Sequence, residues 1–417
     1  MHKPIIWLIN PYAVPPEYPA STRHYELAKE LNKHGFSVVV WACSFIHVVK
    51  EYVNKEAKGT FSRYYEKLPF ATWNWLWSTY YKQNDKKRVL SMLVFSAHLF
   101  IRGLFSGSKP DVIIGSSPHM FGALSSMLLA KLRGSKFIFE VRDLWPDTLF
   151  DMNPHTSRLT KTLFLWLERI LYKYSDAIVP LTPGIAKRLI IDKNVNQEKL
   201  YLVPNGIAVD TFQEANREDI NGLKKSLDLN GKIVITYAGA HGQANALDTI
   251  VTCAELLKHE KKIIFLLAGD GQERLNLINI VEKKMLKNIK LLGPLSKPKL
   301  GVLLEVSDIC LLTLKNINVF KTALPNKVFD YMFFNKPIIA AVNGDVVEFI
   351  TKNNLGYSVK PEDPEALAQL IKEIIKDGDF HQKATKGRDL VFERFTREST
   401  AAVLVKCTNK LLQKAKD

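Results

Sequence analysis

At 417 residues the chain is longer than one hydrophobic core usually organises, so two domains are expected. Its 47% apolar and 24% charged residues exclude a disordered or low-complexity protein, and 58 basic against 42 acidic residues leave a net charge of +16. That excess fits a polyanionic partner, whether nucleic acid, an anionic membrane face or a phosphorylated substrate, and does not choose among them.

Residues 5–10 read as a strand. The apolar run there lacks the length and the cleavage site of a signal peptide, and Cys43, Cys253, Cys310 and Cys407 are too scattered for a disulfide framework or a zinc site, so a reducing cytoplasm is expected. A loop over 10–23 leads into a helix over 22–34, with Ser21 as its N-cap and Gly35 as its stop. Glu17 and Arg23 are the formal charges of that loop. A cation at a helix start opposes the helix dipole, so Arg23 is expected to serve an anionic ligand, the alternative being a solvated surface arginine. A second strand follows over 36–42.

Between 61 and 81 aromatic residues are dense, from Phe61 through Trp73, Trp75 and Trp77 to Tyr81, and Arg63, Lys67, Lys82, Lys86, Lys87 and Arg88 surround them. Rings and cations together suit a membrane interface; single-stranded nucleic acid uses the same ingredients, and a lid on the first domain's core is a third reading. The run 89–105 is too short and too polar for a membrane span and reads as an amphipathic helix. Further strands are expected at 112–117, 137–141, 177–181 and 201–204. His119 lies just past the first of these. Charged residues just past the second, in Glu140-Val-Arg-Asp-Leu-Trp-Pro-Asp147, sit where a doubly wound sheet binds ligands, and Arg142 and Asp143 are expected to pair there.

A polar span over 210–232 links this series to a second one, with strands at 233–238, 263–268, 289–292, 309–314 and 337–342. Beyond 361 only helical patterns remain, the last starting at 395. Strand and helix thus alternate nearly throughout, as in parallel sheets covered on both faces. After the first strand of the second series, Gly239, Ala240, His241 and Gly242 form a loop of small residues that lets backbone N–H groups approach phosphate. No basic residue occurs from 233 through 257. Gly269-Asp270-Gly271 reads as a sharp structural turn, and Gly293 to Leu295 as a loop after the third strand. Near the end of the series, Pro325-Asn326 opens a short helix with Lys327 in its first turn and Asp330 one turn later. Free N–H groups, the positive helix end and the Lys327 charge make an anion site, and Asp330 beside it can accept from sugar hydroxyls, which suits a nucleotide sugar. Lys327 and Lys321 are the cations expected to meet its phosphates. Asp377 and Asp379 have a metal-binding spacing but lie far along the chain from this run, and no metal is expected.

The run also resembles the donor motif of retaining glycosyltransferases of family 4, and most closely a bacterial surface-polysaccharide subgroup typified by fucosamine-type amino-sugar transferases. There, "Pro-Ser-Lys, two apolar, Glu-Tyr-Met-Ala" precedes "Gly-Lys-Pro-Ile-Ile". Here Pro325-Asn326-Lys327 leads to Asp330-Tyr331-Met332-Phe333 and then Asn335-Lys336-Pro337-Ile338-Ile339. Val141 to Asp147 resembles the subgroup's "Val-Arg-Asp-Leu-Trp-Pro-Glu", and Tyr237 to Gly242 its "Tyr-Ala-Gly-Asn-His-Gly". The chain departs from the broad family at several points. The two family glutamates map to Thr322 and Asp330, the basic pair after the first donor loop is missing, a histidine common in other members is Arg142, and the glycines near Tyr18 and Pro19 are absent, which implies a stiffer loop.

The resemblance implies an α/β fold of GT-B type: two doubly wound, Rossmann-like domains facing a central cleft. The acceptor domain would span 1–207 and be completed by a C-terminal helix over 395–417 that crosses back to it; the donor domain would span 208–394. Residues and resemblance together assign catalysis to Lys327, Asp330, Arg142 and Asp143, and donor contacts to Gly239, Ala240, His241, Gly242, Gly293, Leu295, Lys321, Thr322, Pro325 and Asn326. Glu17, Arg23 and His119 would stand on the acceptor side. The activity implied is transfer of a hexose or N-acetylated deoxyhexose from a UDP-sugar, a co-substrate rather than a cofactor. The acceptor would be a lipid-linked saccharide at the inner leaflet of the cytoplasmic membrane, with no nucleic-acid partner. A UDP-sugar 2-epimerase of the same fold and a catalytically silent lipid- or nucleic-acid-binding module remain the alternatives.

Overall fold

The computed structural model describes residues 3–18, 21–47, 49–53, 64–82, 86–212 and 215–413. Pro19, Phe61 and Arg63, singled out above, lie outside these. The chain divides into two compact units, Met1–Asn205 with Arg397–Asp417, and Gly206–Thr396, against the expected joins after 207 and 394.

In the first unit the strands are β1 (Ile5–Ile9), β2 (Ser37–Cys43), the two-residue β3 (Phe45–Ile46) and β4 (Glu51–Tyr52), β5 (Tyr64–Leu68), β6 (Ala71–Leu76), β7 (Val112–Ser116), β8 (Lys136–Val141) and β9 (Ala177–Pro180). Its main sheet runs β5-β6-β2-β1-β7-β8-β9, parallel except for β5, which forms a hairpin with β6. The strands are near-continuous apolar runs because both faces are covered, as β1, with Ile6 to Ile9 all buried, illustrates. Helices α1 (Arg23–Lys33), α2 (Lys86–Leu104), α3 (Met120–Arg133), α4 (Asp147–Met152), α5 (Arg158–Tyr174) and α6 (Pro183–Ile191) belong to this unit. Strand order reverses between β1 and β7, so Asn10 and Ser117 leave the sheet at its switch point.

Three expectations fail here. The aromatic segment does not present its rings as one surface: the two-residue period of β6 turns Trp73 and Trp75 inward together, where they are 0% and 2% exposed, and Tyr81 is buried as well, while Tyr65 and Tyr80 are exposed. Residues 201–204 form no strand, although the N–H groups of Tyr201 and Val203 still donate to Ile178 and Pro180. Ser21 does not cap α1, whose N-cap residue is Thr22.

The second unit contains α7 (Arg217–Leu227), β10 (Ile233–Ala238), α8 (Leu247–Leu256), β11 (Ile263–Ala268), α9 (Arg274–Lys283), β12 (Ile289–Gly293), α10 (Lys297–Val306), β13 (Ile309–Thr313), α11 (Asn326–Phe333), β14 (Ile338–Ala341), α12 (Asp345–Lys352), β15 (Gly356–Val359), α13 (Pro364–Asp377) and the single turn α14 (Gly387–Leu390). The span expected to be a plain linker holds α7. Its six strands are all parallel in the order β12-β11-β10-β13-β14-β15, with the switch point between β10 and β13. The edge strand β15 was not expected. Its Gly356 is required by contact, since a Cβ there would lie 1.9 Å from the Ile338 carbonyl oxygen.

The last helix, α15 (Arg397–Gln413), belongs to the first unit. It packs on α1, with Ala401, Leu404, Cys407 and Leu411 in the core and Arg397 Nε 2.7 Å from Glu26 Oε2.

Candidate active site

In the second unit, the loop after β10 and the start of α11 converge at the carboxyl edge of the sheet. Lys327 lies in the first turn of α11, whose N-cap residue Pro325 offers no side-chain cap. Its ammonium donates to Tyr237 Oη (2.7 Å) and Asn245 Oδ1 (3.4 Å) and stands 3.9 Å from the Tyr237 ring centroid. Tyr237 Oη in turn donates to the Ala240 carbonyl (2.9 Å). None of these partners is a carboxylate, and burial lowers the Lys327 ammonium to about 7 although part of the residue remains exposed. Among the described residues the lysine thus has no counter-ion.

Glycines make this arrangement possible. A Cβ on Gly239 would lie 2.9 Å from Lys327 Cε and Nζ. One on Gly269 would lie 1.8 Å from the Gly239 carbonyl oxygen, and one on Gly271 2.5 Å from that of His241, so the Gly269-Asp270-Gly271 turn is the floor on which the loop rests. The Gly239 N–H donates to Ala268, that of His241 to Asp270, and that of Gly269 to Gly293. Gly242 differs, because a Cβ there meets nothing nearer than Asn245 Nδ2 at 3.8 Å. Gly269→Ala is therefore expected to lower the melting temperature markedly, while Gly242→Ala keeps it and weakens ligand binding at this edge. Calorimetry alongside thermal melts separates the two outcomes.

His241 is 0% exposed, and neither ring nitrogen has a hydrogen-bond partner among the described residues. Burial foremost, then the charge of Arg274, lowers it to about 4, so the ring is neutral at pH 7. Asp330 is buried and engaged: Lys297 Nζ lies 2.9 Å from both its oxygens and 4.8 Å over the Phe212 ring. An Asp330 free for sugar hydroxyls is thus not what the structure shows. Thr322 is buried, not a surface cap, and its hydroxyl donates to Val319. Ala240, Lys321 and Asn326 are exposed, and Leu295 packs half-buried against the core.

In the first unit Arg23 is neither solvated nor open to a ligand. It is 2% exposed, and its guanidinium donates to Glu140 Oε1 (2.9 Å) and to the carbonyls of Val203 (3.1 Å) and Pro204 (2.9 Å). The Glu140 carboxylate also accepts from Ser116 Oγ (2.7 Å) and has His24 Nε2 at 3.2 Å. Burial alone would raise Glu140; Arg23 and then His24 override it and hold the carboxyl well below its usual range. His119 is buried too: its Nδ1 accepts from the Gly122 N–H as the cap of α3, and burial pushes it down to about 3, so it is no free base at the sheet edge. Arg142 and Asp143 form no ion pair. Arg142 Nη2 reaches Ser21 Oγ (3.3 Å), and both backbone N–H groups donate to Ser117 Oγ. Asp143 and Glu17 are exposed.

Sequence inspection missed Tyr237, Asn245, Arg274 and Lys297 around the second-unit site, and Glu140 and His24 in the first. Tyr237 had a signal, standing at the end of a strand before a glycine loop; the rest depend on contacts between distant segments.

Comparison with known proteins fits this geometry. Residues 20–206 match the glycosyl transferase 4-like domain and residues 219–388 the glycosyl transferases group 1 family. The chain is 26% identical over 274 residues, 64% of its length and 67% of the relative's, to a protein of Escherichia coli (strain K12) assigned to colanic acid biosynthesis as the glycosyl transferase WcaI. It is 25% identical over 354 residues, 81% of its length and 84% of the relative's, to the glycosyltransferase WbjE assigned in Pseudomonas aeruginosa. Among solved structures, Anabaena Alr3699/HepE in complex with UDP-glucose superposes with a TM-score of 0.68 over 99% of both chains at 12% identity, which shows a common fold of two Rossmann-like sheets, that of GT-B glycosyltransferases. Matched in both of its units, the chain is a glycosyltransferase, a 4-like domain followed by a group 1 domain.

Proposed function

We propose that the protein is a retaining transferase that moves a hexose or N-acetylated deoxyhexose from a UDP-sugar to a lipid-linked saccharide during assembly of a bacterial surface polysaccharide, as O-antigen, capsule or exopolysaccharide. The observation that carries the donor half is Lys327, a cation with only neutral partners, beside Gly239 and an uncapped helix start at the switch point. The UDP-glucose complex of HepE supports the choice of base, and the colanic acid assignment of WcaI supports the polysaccharide product. The subgroup motifs in 141–147 and 325–339 support an amino-sugar-type donor.

In this reaction the bond from the anomeric carbon to the diphosphate breaks as the acceptor oxygen bonds to that carbon on the same face, and the acceptor's proton passes to the departing diphosphate. Lys327, the N–H groups of the α11 start and the loop at Gly239 to Gly242 stabilise the charge that develops on the leaving group. Cationic side chains meet that charge, with no metal or organic cofactor required.

The membrane contact we assign to α2, α3 and α5, of which α3 packs against both of the others. Leu90, Leu93 and Ile101 with Phe105 (76% exposed), Leu128 and Leu132 (61%), and Leu159 (82%), Leu163 and Trp166 form exposed apolar stripes at helical spacing. Lys86, Lys87, Lys131, Arg158 and Lys173 are exposed among them, the mixture that suits an anionic lipid face at the inner leaflet. No helix among the described residues is long and apolar enough to cross a membrane.

Titrating UDP, GDP, ADP and dTDP by calorimetry and sedimenting the protein with anionic and neutral vesicles test both halves. Micromolar UDP binding with a preference over the other bases is expected, as is co-sedimentation with anionic vesicles that Leu159→Glu with Trp166→Glu abolishes. No affinity for any nucleoside diphosphate would overturn the donor reading, and equal recovery with both vesicle types the membrane one.

A further inference from the structure

A nucleoside diphosphate carries more charge than Lys327 alone can meet, and the loop after β10 has no cation to add. We propose that Arg274 is the second phosphate-binding cation of the donor site, an inference that rests on the donor reading above. Arg274 opens α9 directly after the Gly269-Asp270-Gly271 turn. Its Nη2 stands 3.5 Å from where a Cβ on Gly293 would lie, so the guanidinium rests against the carboxyl end of β12, beside a residue held at φ +75°. The strand order β12-β11-β10 puts it two strand spacings, roughly 9–10 Å, from the end of β10 where Lys327 stands. Two linked phosphates with a hydrogen bond at each end cover such a span.

The guanidinium is free for this role. Among the described residues it makes no hydrogen bond or ion pair, and its Nε is sealed from solvent without an acceptor. Neither nearby acid pairs with it: the adjacent Glu273 accepts from Asn276 Nδ2 (3.5 Å), and Asp270 accepts from the Gly271 N–H. The other cation at this edge with an assigned partner, Lys297, is committed to Asp330. A second observation points the same way. His241, fully buried with both ring nitrogens unpartnered among the described residues, feels the positive charge of Arg274, opposed by Asp270, and that of Lys327, so both cations act on one ring. Asp270 offsets part of this charge without pairing with either cation, and two cations held near one buried ring favour an anion that joins them. The arginine thus replaces, from the neighbouring strand-to-helix turn, the basic pair that the loop after β10 lacks.

The test is calorimetry with UDP and inorganic pyrophosphate, plus uridine by ligand-observed NMR, on wild type, Arg274→Gln, Arg274→Lys and the control Lys283→Gln at the far end of α9. Loss of a charge-assisted hydrogen-bonding group predicts that Arg274→Gln binds UDP and pyrophosphate roughly ten- to a hundredfold more weakly, with uridine binding and melting temperature unchanged. Arg274→Lys is expected to fall between, as a point charge without the planar fork, and Lys283→Gln to match wild type. Unchanged pyrophosphate and UDP affinity in Arg274→Gln, or an equal loss for uridine and UDP, overturns the inference. Wild type that binds pyrophosphate but no nucleoside diphosphate sinks the donor reading and leaves the anion site standing, whereas binding of neither overturns both.

Discussion

Lys327→Ala is expected to lower kcat/KM by about two to three orders of magnitude, the range seen when one preorganised stabiliser of developing negative charge is removed. The physical ground is the isolation of this ammonium. With Tyr237 and Asn245 as its only partners among the described residues, and no carboxylate among them to neutralise it, its field is available to a departing diphosphate. Because burial lowers the group to about 7, donor affinity should be greatest below pH 7 and fall about tenfold per unit above it, until the bound anion's own upward pull on the lysine is exceeded. The slope should vanish in Lys327→Ala and in Lys327→Arg, which stays charged. The stability of the donor-free protein follows the opposite sign. Between about 7 and the unfolded value of 10.5 the unfolded chain binds the extra proton, so stability rises with pH across that window. Steady-state kinetics and nucleotide titrations across pH 6 to 9 check both; wild-type turnover in Lys327→Ala would remove the residue from the mechanism.

Glu140→Ala should produce the largest loss of stability, about 3–5 kcal/mol, because it leaves the Arg23 guanidinium buried without its counter-charge and leaves the Ser116 hydroxyl only His24 Nε2 (3.0 Å) as a partner. All seven tryptophans lie in the first unit, so urea unfolding followed by tryptophan fluorescence reports on that unit alone. Glu140→Gln, which keeps an acceptor for Ser116, should fall between wild type and alanine. Nucleotide binding, which we propose for the second unit, should survive wherever the protein remains folded. An unchanged urea midpoint in Glu140→Ala would mean that the cluster is not structural, and would return Arg23 to the list of ligand contacts.

Arg23 shows why the candidate site was only half legible. A cation at a helix start is unfavourable by local rules, and that inference holds as far as it goes: the arginine does need an anion. Its anion is Glu140, 117 residues away, and nothing in either segment alone names the other. His119 fails similarly, since a histidine after a cis Ser117-Pro118 bond becomes a buried helix cap only because Gly122 leaves it room. The aromatic segment stayed open among three readings for a different reason. Composition registers how many rings are present, while the pleat of β6 decides that Trp73 and Trp75 share the inner face.

The alternation of strand and helix, by contrast, is written in local apolar periodicity, and short apolar runs sufficed to place most strands of both sheets within a residue or two. The Gly239 to Gly242 loop and Lys327 were legible for the same reason, since glycines after a strand and a lysine in a helix's first turn are local facts with local consequences. Sequence could not order the strands, and the order is what makes a site. It brings Lys327, Tyr237 and Asn245 to one point, sets the Gly269 turn beneath Gly239, and leaves the Arg274 guanidinium against Gly293 without a hydrogen-bond partner among the described residues. It also ties Asp330 to Lys297, a pairing between two helices that no spacing along the chain foretells. Backbone geometry propagates over a few residues, whereas charge and burial act through space, so the elements could be read from the chain and the electrostatics of the site only from its fold.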